Sequence, residues 1–295
     1  MLPTKRALED DNNDNEDDKA DAVATNPEIP GLKLPESMKQ VFPGIAVIPD
    51  FAQNVLGFDQ AKLQDDLEAN YPVRGARDDI SWAEAQWVEG NNEALKYRGN
   101  ELKRGKMWFQ KGEPKEVGFV KYYYTGWQNK VLPATSDVAK CPEMAPLAIK
   151  YDGWVASLGF PDANHYIMTH YVDGSHAIGM HYDKPKSIAP ESLITVVKTG
   201  HFGRPFRLEA LDGTLVFEKV LAPGTAVVMT LAANLATKHG VPEVEKAGSS
   251  GSIVFRTITD RVRWTKLEKK IAKFDADKAE RVAKKARADM WEQEW

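Results

Sequence analysis

With 295 residues, 42% of them hydrophobic and 28% charged, the chain can bury a sizeable core as one large domain or two small ones. A formal net charge of -4 excludes strong non-specific attraction of the whole surface to nucleic acid, though it leaves room for a local basic groove. A single cysteine, Cys141, excludes an intramolecular disulfide, and no apolar run of about 18 residues offers a membrane span.

The first 35 residues are acidic and poor in large apolar side chains. Such a composition cannot offset chain entropy by burial, and it predicts a disordered leader. Its polar start is not that of a secretory signal, and an intracellular location, nuclear or cytoplasmic, is expected. Order should begin at VFPGIAVIPDF (41–51), an apolar strand punctuated by proline and glycine, and continue in a helix through Leu63 and Leu67. Residues 80–115 are polar, charged and rich in tryptophan, and read as loops and irregular strands over the surface. VGFVKYYYTGW (117–127) reads as a strand, and PEMAPLAIKYDGWVASLGF (142–160) as a helix that stops near Gly159.

Between 164 and 262 short apolar runs alternate with Gly, Pro, Asp and Asn clusters: HYIMTHYV, LITVVKTG, RPFRLEAL, GTLVFEKV, GTAVVMTL and SGSIVFRTI. Many short strands with turns between them predict a mainly β core, a sandwich or barrel, inside an α+β chain. DGT at 212–214 is a hairpin turn. The last segment, 266–295, is rich in Ala, Lys and Glu, with Leu267, Ile271, Phe274, Val282 and Met290 at helical spacing, and predicts a C-terminal amphipathic helix. The expected division is therefore a leader (1–35), a folded domain (36–265, its N-terminal extension reaching 130 and its core spanning 131–265) and a terminal helix (266–295).

The segment GMHYDKP sets His181 and Asp183 two apart. On a strand, residues i and i+2 share a face, so one imidazole and one carboxylate can reach one ion. A third ligand must come from elsewhere, and His239 in TKHGVP is the candidate. Two histidines and one carboxylate on one face of a metal leave three positions open, enough for a bidentate 2-oxo acid and dioxygen. That set suits Fe(II) better than zinc, whose structural sites are closed. The far carboxylate of such an acid needs a cation, and arginine matches a carboxylate with two parallel bonds. Arg256, in SIVFR on the last predicted strand, is the first candidate, with Arg261 close behind.

Residues 164–258 resemble the AlkB-like family of 2-oxoglutarate- and Fe(II)-dependent dioxygenases. The likeness is carried by HYVDGSHAIGMHYDKPKSIAPESLITVVKTGHFGRPFRLE, with its tyrosine before a D-G turn and its I-G-x-H-x-D, by LAPGTAVVMTLAANLATKHGVP, and by SIVFR. The resemblance implies a double-stranded β-helix, the jelly-roll or cupin-like fold, flanked by helices. It implies iron held by His181, Asp183 and His239, and 2-oxoglutarate contacted by Arg256 and Tyr171. Two positions depart from the family's pattern. Ser250 stands where a second arginine is usual, and Thr169 where asparagine is frequent. Arg261 replacing the missing charge and Arg256 serving alone are both open.

The resemblance further implies decarboxylation of 2-oxoglutarate to succinate, coupled to oxidation of a methyl group on a nucleobase of DNA or RNA taken out of its stack. KRGKMWFQKGEPK (103–115), with Arg104 and Trp108, and KYYYTGW (121–127), with Tyr124, lie where the family keeps its substrate lid. His170 and His201 are candidate pocket histidines, and Arg204 a candidate at the barrel mouth. Trp108 and the tyrosine run fit sheet core equally well. A hydroxylase of a small metabolite or a protein side chain, or a non-catalytic binding protein, would use the same fold; the intact triad disfavours the latter.

Overall fold

The computed structural model describes residues 33–70, 93–97, 100–123, 131–133, 136–262 and a few helical positions between 276 and 284. Residues 1–32 of the expected leader lie outside that set, and Leu34 is buried in the core. Most of the expected C-terminal helix also lies outside it. Its described positions are helical and exposed, with Lys284 and Glu280 paired across one turn. Among the described residues no helix is long and apolar enough to cross a membrane.

Seven strands precede the core: β1 Gln40–Phe42, β2 Ile45–Ile48, β3 Glu93–Tyr97, β4 Asn100–Gln110, β5 Phe119–Tyr123, β6 Val131–Pro133 and β7 Ser136–Asp137. The core then runs through β8 His165–Tyr171, β9 Ile178–His181, β10 Leu193–Gly200, β11 Arg204–Ala210, β12 Leu215–Leu221, β13 Ala226–Thr230, β14 Thr237–Val241 and β15 Ser250–Arg256, and β16 Arg261–Val262 closes the described strands. Within the core the chain passes back and forth between two sheets. β13, β10, β15 and β8 are neighbours in a large sheet, which β1, β2, β4 and β3 extend, and β12, β11, β14 and β9 form a smaller one. All these core pairings are antiparallel. This is the double-stranded β-helix expected from the sequence.

Alternation along the strands divides the core in two. Ile167, Ile194, Val196, Val227, Phe206 and Leu208 point into the space between the sheets. Tyr166, Met168, Val197, Ile253 and Phe255 face outward, against the helices Gln60–Asn70 and Ala145–Ser157. Tyr151 of the second helix stacks on Phe255 at 4.2 Å and hydrogen-bonds Thr195 at 2.8 Å, anchoring it to the sheet. That helix ends before Gly159, as expected. The hairpin between β11 and β12 turns at Asp212–Thr214, where the Asp212 carboxylate accepts from the Thr214 amide and Gly213 takes φ 89°.

The expected surface loops at 80–115 are corrected in part. Residues 71–92 lie outside the described set, but β4 joins the large sheet beside β8, and Met107, Trp108 and Phe109 are buried. The charged half of β4 disguises a strand whose second half is core.

Candidate metal centre

His239 lies on β14 directly opposite His181 on β9. Cross-strand partners bring their side chains close on one face, and the two imidazole centroids are 4.5 Å apart. The approach of these strands depends on Gly240. A Cβ there would meet the Ile178 carbonyl oxygen and the Met180 sulfur, both at 2.9 Å. His181 is the last residue of β9, and Asp183 follows just beyond it. So the two ligands are carried by a strand end and the turn out of it, rather than by one continuous strand. Ligand atoms of His181, Asp183 and His239 all lie within 4.8 Å of one another. Donors around one divalent ion at about 2.1 Å sit up to roughly 4.2 Å apart, so small side-chain adjustments close the set on an ion.

The position of Asp183 is held from two sides. Asn234, buried on the short helix Leu231–Ala236, accepts from the Asp183 amide at 2.9 Å and donates to its carbonyl at 2.8 Å. This side chain copies a strand pairing where the strand has ended. Arg256, 1% exposed, donates from Nη1 to Asp183 Oδ2 at 2.9 Å and from Nε to His165 Nδ1 at 3.0 Å. Burial pushes the Asp183 carboxyl up. Arg256, with both site imidazoles and Lys106 behind it, outweighs burial and holds the group down at about 2. Burial, aided by His181, pushes His239 down to about 3, which keeps it neutral as a ligand must be. His181 Nδ1 lies 2.9 Å from the Gly179 carbonyl. A carbonyl only accepts, so Nδ1 carries the proton and the lone pair is on Nε2. Two neutral imidazoles and one ionised carboxylate fit a divalent metal with sites left for other ligands.

Asn234→Ala is expected to lower Fe(II) affinity by about 10- to 100-fold while leaving the three ligands present. Anaerobic metal titration checks this, and unchanged affinity would show that Asn234 does not position Asp183.

No protein-family model matches the chain, and no curated protein does. Two solved structures resemble it in form. OsALKBH1 superposes with a TM-score of 0.48 and 10% identity, over 75% of this chain and 99% of that one. An oxidoreductase of the 2OG-Fe(II) oxygenase family from Burkholderia pseudomallei superposes with a TM-score of 0.43 and 14% identity, over 75% of this chain and 88% of that one.

The remaining sequence candidates fall in different places. Arg256 binds the metal-site carboxylate Asp183, a partner the sequence did not reveal. Thr169 and Tyr171 lie on β8, buried, on the strand face that also carries Ile167 into the barrel. Arg261 is exposed on β16, with Nη1 directed at the Gly118 carbonyl. Arg204 is fully buried rather than at the barrel mouth. It donates to the carbonyls of Asp173, His176 and Pro242, tying down the chain around β9 and β14. Trp108 packs in the inner core. His170 faces the helix Gln60–Asn70, bonding Glu68 and Ser249, and His201 is exposed and paired with Asp65. Arg104 lies on β4, and Tyr124 is outside the described residues. Asn234, His165 and Lys198 were not singled out by sequence. Only the folded arrangement of strands and the short helix reveals them.

Proposed function

We propose that this chain is a 2-oxoglutarate-dependent Fe(II) dioxygenase. The observation that carries the reading is the cross-strand pair His181 and His239 closing with Asp183 at one end of a double-stranded β-helix. His181 Nε2, a neutral imidazole of His239 and the ionised Asp183 would hold the metal. Bound iron supplies a site where the 2-oxo acid and dioxygen meet. The chain's own part is to keep Asp183 ionised through Arg256, to fix the His181 tautomer through Gly179, and to set the site at the end of a barrel of buried side chains. Dioxygen, one 2-oxoglutarate and one C–H bond are consumed, giving carbon dioxide, succinate and a hydroxylated carbon.

The finer reading is oxidation of a methyl group on a nucleobase in DNA or RNA. It is supported by the sequence resemblance of 164–258 and by cations close to the metal end. Lys106 contributes to the field at Asp183, and Lys184 lies 5.0 Å over the Tyr182 ring directly after His181. A flipped base needs aromatic faces and neighbouring cations for its phosphates. On an N-methyl group the hydroxylated product breaks down to formaldehyde and the free amine; on a C-methyl group it persists as hydroxymethyl.

The test is succinate release with Fe(II) and 2-oxoglutarate against methylated oligonucleotides, nucleosides and small methylated metabolites. Release above the uncoupled background on an oligonucleotide is the expected result. Release confined to metabolites or protein substrates would transfer the activity to the hydroxylase reading, and release in no case, background included, would refute the dioxygenase.

A further inference from the structure

A cation lies inside the barrel with no counter-ion among the described residues. Lys198 sits on β10, a strand with neighbours on both sides, and is 2% exposed. It shares a strand face with Ile194 and Val196, which belong to the inner core, so it too points between the sheets. Its backbone amide donates to the Thr225 carbonyl, but its Nζ has no hydrogen-bond partner among the described residues. The Tyr171 ring lies 5.6 Å from it, and a second cation that acts on it, Arg204, is 5.3 Å from the same ring. A buried ammonium without an anion is costly and persists where something else requires it.

The strand register shows what surrounds it. Lys198 is opposite Ser252, and Ser252 is opposite Thr169, so these residues form one row across β10, β15 and β8. The next row outward holds Ser250 and Tyr171. Ser250, fully buried, leaves its hydroxyl without a partner among the described residues. In the opposite direction comes an apolar row, Val196, Val254 and Ile167, and beyond it Arg256 and His165 at the metal end. Going inward from the metal, the barrel therefore offers a cation, an apolar step, and then a polar row headed by a second cation. The Arg256 row and the Lys198 row are four residues apart, about 13 Å along the strand. A five-carbon diacid spans roughly 5 Å between its carboxyl carbons, so a diacid held at the metal end and the long Lys198 side chain share that distance.

We propose that Lys198, seconded by the hydroxyls of Ser250 and Tyr171, binds the distal carboxylate of 2-oxoglutarate. The inference rests on the dioxygenase reading above and names the anchor that reading lacks. Lys198 takes over the charge that Ser250 does not carry, from the neighbouring strand and one row nearer the metal, opposite Ser252. Arg204 stays committed to three backbone carbonyls and adds only its field. The electrostatics agree with the geometry: burial, then Arg204, push the Lys198 ammonium down to about 7, as befits a cation awaiting an anion.

The experiment titrates the full-length, Fe(II)-loaded chain anaerobically with 2-oxoglutarate and with 2-oxobutyrate, which keeps the 2-oxo acid end and lacks the distal carboxylate. The visible charge-transfer band of the chelate and calorimetry report binding. The wild type should prefer 2-oxoglutarate by about 100-fold. Lys198→Met should reduce that preference to a few-fold through loss of 2-oxoglutarate affinity alone. The metal-free variant should melt at a higher temperature, because a misfit charge has been replaced by a shape-matched apolar group. A wild type that binds both acids equally, or a Lys198→Met protein that keeps the preference, overturns the inference and leaves the dioxygenase standing. A lower melting temperature would assign Lys198 a structural role and overturn it as well. A wild type that binds neither acid overturns both readings.

Discussion

Arg256→Met is expected to destabilise the metal-free protein by about 3–5 kcal/mol, because it leaves the Asp183 carboxylate buried without its cation. Methionine fills most of the space, so cavity formation contributes little. Chemical denaturation measures the loss, and its pH dependence identifies the cause. In the wild type the carboxyl sits at about 2, below its usual 3.8. A depressed carboxyl gives stability that is fully present above the unfolded value and lost as pH falls through the folded one, here about 2 kcal/mol. In the variant, burial has no opposing guanidinium and raises the carboxyl, so mild acidification should instead restore stability. A variant that loses stability on acidification as the wild type does would show that Arg256 is not the partner that keeps Asp183 ionised.

The second large effect is expected from Asp183→Asn. Asparagine preserves shape and the backbone bonds to Asn234, but it removes the one anion among the three ligands. Fe(II) affinity should fall by at least about 100-fold. The metal-free protein should also lose stability, since Arg256 is then the uncompensated buried charge. Combining Asp183→Asn with Arg256→Met should cost less than the sum of the two, because both remove one interaction. Strict additivity would mean that the 2.9 Å contact contributes nothing to folding.

These expectations depend on contacts that differ in how readily the sequence exposes them. His181 and Asp183 are two apart, and local spacing was enough to join them. His239 was found by its place in the order of elements, although its strand was not. TKHGV has no apolar run, and its β-structure comes from pairing with β9 and β11. Arg256 was recognised as functional, but its bond to the Asp183 carboxylate was not legible. Its bond to Asp183 connects the ends of β15 and of the small-sheet strand β9, a contact created only when the two sheets close. Lys198 was passed over because a lysine in LITVVKTG reads as the polar member of an alternating strand. β10 has strand neighbours on both sides and is buried on both faces, so alternation there does not separate inside from water. The surroundings of Trp108 and His170 were hidden for the same reason in reverse. β4 and the helix Gln60–Asn70 cover surfaces that the bare core pattern leaves open.

The central claim is that one iron is held by residues brought together across β9 and β14, and the most direct measurement is anaerobic Fe(II) binding to the purified chain and to His239→Ala. The wild type should bind one equivalent and, with 2-oxoglutarate, develop the visible band of a chelated 2-oxo acid. The variant should keep its fold by circular dichroism and lose both. Equal iron binding by the two proteins, or none by the wild type, would contradict the assignment of His181, Asp183 and His239.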